Sequence, residues 1–125
     1  MKVIRFTTLF LFSINGFAFN WKKIISTPMG DLYVDVDSIK KRNRLVYYWT
    51  LVDLLEPFPS GTNSYIDKSK VECIEGKRTL LSSTSYSQSM GKGRIIFEEN
   101  PNRITYPKPE SVGYEHMKFA CDNAR

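Results

Sequence analysis

Histidine occurs once in this 125-residue chain, at His116, and cysteine twice, at Cys73 and Cys121. A lone histidine rules out an H-E-x-x-H metalloprotease helix and the paired Cys/His spacings of zinc sites. No nucleophile elbow is present, and His116 has no catalytic partner nearby in sequence. Met90-Gly91-Lys92-Gly93 lacks the Walker spacing and a following helix, so it reads as a glycine-rich hairpin connection. Long apolar runs are missing too: Phe6–Ile14 is far short of the ~20 residues that span a bilayer. Acidic residues are outnumbered 13 to 18, giving a net charge of +5, but the basic residues are scattered. No run reaches the length of a polyanion-binding tail, so no nucleic-acid partner is expected. There is no internal repeat, low-complexity tract or second domain. No catalytic, cofactor-binding or metal-ligating residues are assigned, and no cofactor is expected.

The N-terminus does carry a signal. Lys2 and Arg5 precede the apolar Phe6–Ile14, and Asn15-Gly16-Phe17-Ala18 closes the stretch with small residues at Gly16 and Ala18. This is the layout of a cleaved signal peptide over residues 1–18, leaving one domain over 19–125. The chain is therefore expected to be exported, to the periplasm, the cell surface or the medium. No cysteine follows the apolar run, so no lipid anchor is expected, nor a stable membrane span after cleavage. Loss of Lys2 and Arg5 lowers the net charge from +5 to +3. In an oxidising compartment two cysteines pair, and a Cys73–Cys121 bridge would contribute about 2–4 kcal/mol. The alternative, a redox or metal pair, is disfavoured by a spacing far from C-x-x-C.

The remaining chain reads as short strands between turn signals. Trp21–Ser26 is the first. Thr27-Pro28-Met29-Gly30-Asp31 is turn chemistry, and Leu32–Val36 alternates Leu32, Val34 and Val36 against Tyr33 and Asp35. Asp37-Ser38-Ile39-Lys40-Lys41 predicts a single helical turn capped by Asp37. Leu45–Leu55 is apolar on both faces and belongs in the sheet centre, covered on both sides. Glu56–Asn63, with two prolines and a glycine, is a loop. Ser64–Glu75, Lys77–Ser87 and Arg94–Glu99 are further strands, and Asn100–Pro109 is irregular. Pro109-Glu110-Ser111 opens the one helix, whose Val112, Met117, Ala120 and Cys121 fall near one face. The expectation is an α+β fold: a single antiparallel sheet of about five to six strands with one C-terminal helix packed on it, stapled by a disulfide.

Candidate sites are few. Asp35 and Asp37 are two apart and resemble an acid–base or Ca²⁺ pair, but no ligand series follows and Asp37 has a capping role. His116 reads as a solvent-facing or hydrogen-bonded helix residue. Tyr47 and Trp49 are assigned to the core, and Tyr48 to the second face as a candidate interaction residue. Phe58, on a loop tip between prolines, is the other candidate interaction residue, since exposed aromatics are enriched at binding hot spots.

Read in order, several pieces resemble the bacterial surface-adhesin protein E-like family. They are Trp21, Tyr33–Ile39, the aromatic Val46–Asp53, Ser69-Lys70-Val71-Glu72-Cys73, Met90–Gly93, and a Pro-x-Ser-Val helix ending in Cys121. The resemblance implies a six-stranded antiparallel sheet, a C-terminal helix, the Cys73–Cys121 bridge, dimers and, for the founding member, adhesion to extracellular-matrix proteins. The founder is a lipoprotein with a basic loop before the cysteine strand, whereas here Pro57-Phe58-Pro59-Ser60-Gly61 is uncharged. The expected function is that of an exported, non-enzymatic binding protein, an adhesin-like module for host extracellular-matrix or envelope proteins. The alternatives are a periplasmic structural accessory that homodimerises through an apolar second face, and a small periplasmic ligand carrier or enzyme using Asp35, Asp37 and His116.

Overall fold

The computed structural model describes residues 18–125, and the expectation of a signal peptide falls on a segment outside the described residues. Two long strands organise one antiparallel eight-stranded sheet. The first, β4 (Leu45–Leu54), is rich in the aromatic and β-branched residues that suit a pleated surface. On one side it meets β2 (Gly30–Asp35) along Thr50–Leu54 and β3 (Lys40–Arg42) along Leu45–Tyr47. On its other side lies β5 (Ser64–Glu72). The second long strand, β6 (Lys77–Tyr86), pairs with β5. Its far side is shared in the same way, by β7 (Ile95–Glu99) and β8 (Arg103–Thr105). β1 (Trp21–Ser26) closes the β2 edge with a bulge between Lys23 and Ile25, so the order is β1-β2-β4-β5-β6-β7 with β3 and β8 beside it.

The six expected strands are all present, and β3 and β8 are additional. The predicted helical turn over 37–41 is not formed. Asp35 is buried instead, and its Oδ1 accepts the N–H groups of Asn20 and Asp37 at 3.0 and 3.3 Å. That local side-chain bonding turns the chain, and Lys40–Arg42 then runs back along β4. Asn43, with φ of 57°, makes the tight reversal before Leu45. β8 forms because β6 extends beyond the reach of β7, leaving Arg78–Leu80 free to pair with Arg103–Thr105.

Helix α1 (Val112–Asp122) is capped by Ser111, whose hydroxyl accepts the Tyr114 N–H at 3.2 Å. It packs on β1, β2 and β4. Met117 and Ala120 meet Val34, Ile39, Val46, Tyr48 and Val71 there. Cys73 is bonded to Cys121, and the bridge ties the end of α1 to the turn after β5. A smaller cluster of Leu32, Val52 and Leu54 continues this layer past the helix. Gly30 is required where β2 meets β4, because a Cβ there would fall 2.3 Å from the Asp53 carbonyl oxygen.

Candidate functional site

Because opposed residues of an antiparallel pair share a face, the register sorts every side chain into one of two layers. Val46, Tyr48, Thr50, Val52 and Leu54 point to the helix side. Leu45, Tyr47, Trp49, Leu51 and Asp53 point to the other. Tyr48 is 0% exposed, beneath α1. It is therefore a core residue, while Tyr47 and Trp49, assigned to the core from sequence, are half-buried on the open side. The reason is that both alternating sets of this strand are apolar, so the period alone does not say which set the helix covers.

Around Tyr48 lies a buried polar group. Ser69 stands opposite it in β5, and Arg78 Nε donates to Ser69 Oγ at 3.1 Å. His116 is 3% exposed on α1 and its Nε2 has no hydrogen-bond partner; Tyr48 Oη and Asp67 Oδ1 are likewise unpartnered. Burial, with the Arg78 charge adding to it, pushes His116 down to about 3. Burial raises the Tyr48 phenol and the Asp67 carboxyl above their ordinary values. The expectation of a solvent-facing or satisfied histidine is thus corrected. Neither Asp35 nor Asp37 hydrogen-bonds to His116: Asp35 holds its own turn, and Asp37 Oδ2 accepts from Asn20 Nδ2 at 3.1 Å. Among the described residues, no group of three or more His, Cys, Asp or Glu side chains is arranged to hold a metal ion.

Phe58 lies 40% exposed on a loop that is firmly braced. Its N–H donates to the Thr62 carbonyl at 3.0 Å, and Gly61, at φ of 92°, donates to the Phe58 carbonyl at 2.8 Å. Asn63 anchors the loop end to β6, donating to the Tyr86 and Ser87 carbonyls at 2.9 and 2.8 Å. The Phe58 ring stacks over Tyr65 with centroids 6.3 Å apart. Tyr65 faces Ser85, and Ser85 faces Phe97, which is 57% exposed. Phe58, Tyr65 and Phe97 therefore form an aromatic strip on the helix side of the sheet, beyond the strands that α1 covers.

The open side is divided in two. At one end, a 3-10 turn at Ser89–Gly91 folds back on the sheet. Ser89 Oγ donates to the Asp53 carboxylate at 2.7 Å, the Met90 N–H donates to the same group at 2.9 Å, and the Gly91 N–H donates to Ser64 Oγ at 2.8 Å. Gly91 sits close over Ile66 and Leu51, which are 6% and 0% exposed. Met90–Gly93 is thus a docked cover rather than a free hairpin tip. At the other end no comparable turn docks over Tyr47 and Trp49 among the described residues, and they stay half-buried, with Phe19 bordering the Trp49 ring. Cations surround them instead: Lys68 Nζ is 5.4 Å from the Trp49 ring and Arg42 Cζ 5.9 Å from the Tyr47 ring. Phe19 packs edge-on to Trp49 at 5.6 Å and stacks on Trp21 at 4.5 Å. The second face, expected to be apolar, is aromatic and cationic. Sequence reasoning missed this cluster; its signal was the alternation of Lys68 and Lys70 in β5, which only the register places beside Trp49 and Tyr47.

The architecture defines the class: a disulfide-stapled antiparallel α+β domain with a single C-terminal helix. Residues 21–122 match the family model of surface-adhesin protein E, and the chain belongs to that family. No curated protein matches it. Among solved structures it is similar to crystal form II of Haemophilus influenzae protein E, at 20% identity and a TM-score of 0.55 over 74% of this chain and 80% of that one. It is also similar to the selenomethionine form of the same protein, at 18% identity and a TM-score of 0.58, covering 86% of this chain and 94% of that one. At such identities the likeness shows the shared fold.

Proposed function

We propose that this protein is an exported, non-enzymatic adhesin-like module. It engages host extracellular-matrix or envelope proteins through the Phe58–Tyr65–Phe97 strip. The observation that carries the reading is the strip itself: Phe58 stacks on Tyr65 at the rim of the Leu32–Val52–Leu54 cluster, exposed Phe97 lies on the same face across Ser85, and Phe58 sits on a loop held rigid by backbone hydrogen bonds. Rigid aromatics contribute large contact area at low entropic cost and dominate interface energetics. Membership of a surface-adhesin family supports the same reading, as does a disulfide that suits an oxidising compartment.

The test is a binding screen of the exported form, Phe19–Arg125, against extracellular-matrix and envelope proteins, with Phe58→Ala alongside. For a hot-spot residue the variant weakens binding about tenfold or more. Phe58 lies outside the core, so the fold survives and a loss reports on contact. Unchanged affinity for every partner found would remove the strip as the site.

A further inference from the structure

We propose that the uncovered end of the open sheet face is a docking site for an anionic polysaccharide, on the layer opposite the Phe58 strip. A cleft of about 320 Å³ lies here, lined by Ser38, Lys40, Arg42, Tyr47, Trp49 and Lys68. The register sets its layout. Lys40 and Lys70 flank Tyr47 from the two neighbouring strands, and Lys68 flanks Trp49. With strands ~4.8 Å apart, Lys40 and Lys70 stand roughly 10 Å apart across Tyr47, and Lys68 and Lys70 roughly 7 Å apart along β5. Arg42 adds a fourth cation beside the Tyr47 ring.

None of these four cations has an acidic partner. The ion pairs among the described residues are Lys23 with Asp31 and Lys118 with Asp122. Of the acids at this end of the sheet, Asp35 is buried and accepts the Asn20 and Asp37 N–H groups, Glu72 Oε1 accepts the Glu75 N–H at 3.1 Å, and Glu75 borders a neighbouring cleft with Lys70 without forming an ion pair. The charge complement of the surface is therefore supplied from outside the chain. A polysaccharide bearing carboxylate or sulfate groups matches it on three counts. Its anionic groups recur along an extended chain, as the cations do along the strands. The planar Arg42 guanidinium forks onto an oxyanion in bidentate fashion. The aromatic rings offer flat surfaces to the C–H faces of sugars. A peptide is less well served. β4, which carries both rings, is already paired on its two sides by β3 and β5, so a peptide cannot add a strand beneath the cleft, and the cleft lining offers no aliphatic side chain to an apolar anchor.

The probe is a size-defined heparin oligosaccharide titrated into the exported form by calorimetry, with neutral dextran and polyglutamate of similar length as comparators. Binding is expected for heparin and not for dextran, weakening as salt rises. Lys68→Gln with Lys70→Gln should reduce it about tenfold. Lys22→Gln with Lys108→Gln, an equal loss of charge away from this face, should change it less than about threefold. Trp49→Ala should also weaken binding; the lysine pair keeps the test valid should that variant unfold. Phe58→Ala should leave it unchanged, which separates this site from the aromatic strip. Absence of heparin binding, equal losses in the two lysine pairs, or tighter binding of polyglutamate would each overturn the proposal.

Discussion

His116 sits where a proton would place a second positive charge close to Arg78 with little water to screen it. Its folded-state value of about 3 lies below the ordinary 6.5. A depressed histidine means that the unfolded chain binds the extra proton between those values, so stability is fully present above about pH 6.5 and is lost as pH falls towards 3. The slope is about 1.4 kcal/mol per pH unit within that window. Asp67 acts in the opposite sense, since burial raises its carboxyl and acidification relieves an unfavourable charge. Urea unfolding of wild type and His116→Gln at a series of pH values separates the two. The wild type should lose stability steeply below pH 6.5, and the variant should show a shallower curve. Identical slopes would mean that His116 is hydrated in solution. The residue scale is also where the sequence was least legible. Tyr47, Tyr48 and Trp49 are adjacent aromatics, and alternation says only that Tyr48 differs from its neighbours. Which side the helix takes depends on contacts with Met117 and Ala120 from the far end of the chain.

At the scale of elements, the strand and helix periods were readable because each carries its own local chemistry. β1, β2, β4, β5, β6 and β7 have turn residues at their ends, and α1 has Ser111 as its cap. β3 and β8, three residues each, were not readable, because they carry little apolar pattern and exist only by pairing with the free lengths of β4 and β6. The disulfide was legible from compartment and cysteine count, and its effect follows from its span. Joining residues 48 apart removes loop entropy from the unfolded chain worth about 4 kcal/mol in the chain-entropy model. It also anchors a helix of only 11 residues, shorter than those that hold by themselves in water. Cys73→Ser with Cys121→Ser should therefore lower the unfolding free energy by about 2–4 kcal/mol, and hydrogen exchange should quicken first in α1. A loss below about 1 kcal/mol, with α1 still protected, would show that packing of Met117 and Ala120 holds the helix unaided.

Across the whole molecule, one layer is covered by a helix and a disulfide over β1, β2 and β4, while the other, beyond the Ser89–Gly91 turn, keeps aromatic rings and unpaired cations in view. Such a face costs stability unless something offsets it. Lys40, Arg42, Lys68 and Lys70 lie within about 7–10 Å of their neighbours, and like charges at that spacing repel by about 0.5 kcal/mol per pair in water. The Debye length shrinks from about 30 Å at 0.01 M to about 8 Å at 0.15 M, so the repulsion is felt at low salt and muted at physiological salt. Against it stand the contacts of the Lys68 ammonium with Trp49 and of the Arg42 guanidinium with Tyr47. Thermal unfolding across that salt range decides which effect wins. If the face is held in readiness for an anionic ligand, the wild-type Tm should rise with salt. Lys68→Gln with Lys70→Gln should start higher at low salt and rise less, the usual exchange of stability for a binding surface. Were the double variant less stable at low salt, the lysines would be bracing the rings, and the cationic face would be a structural feature of the sheet.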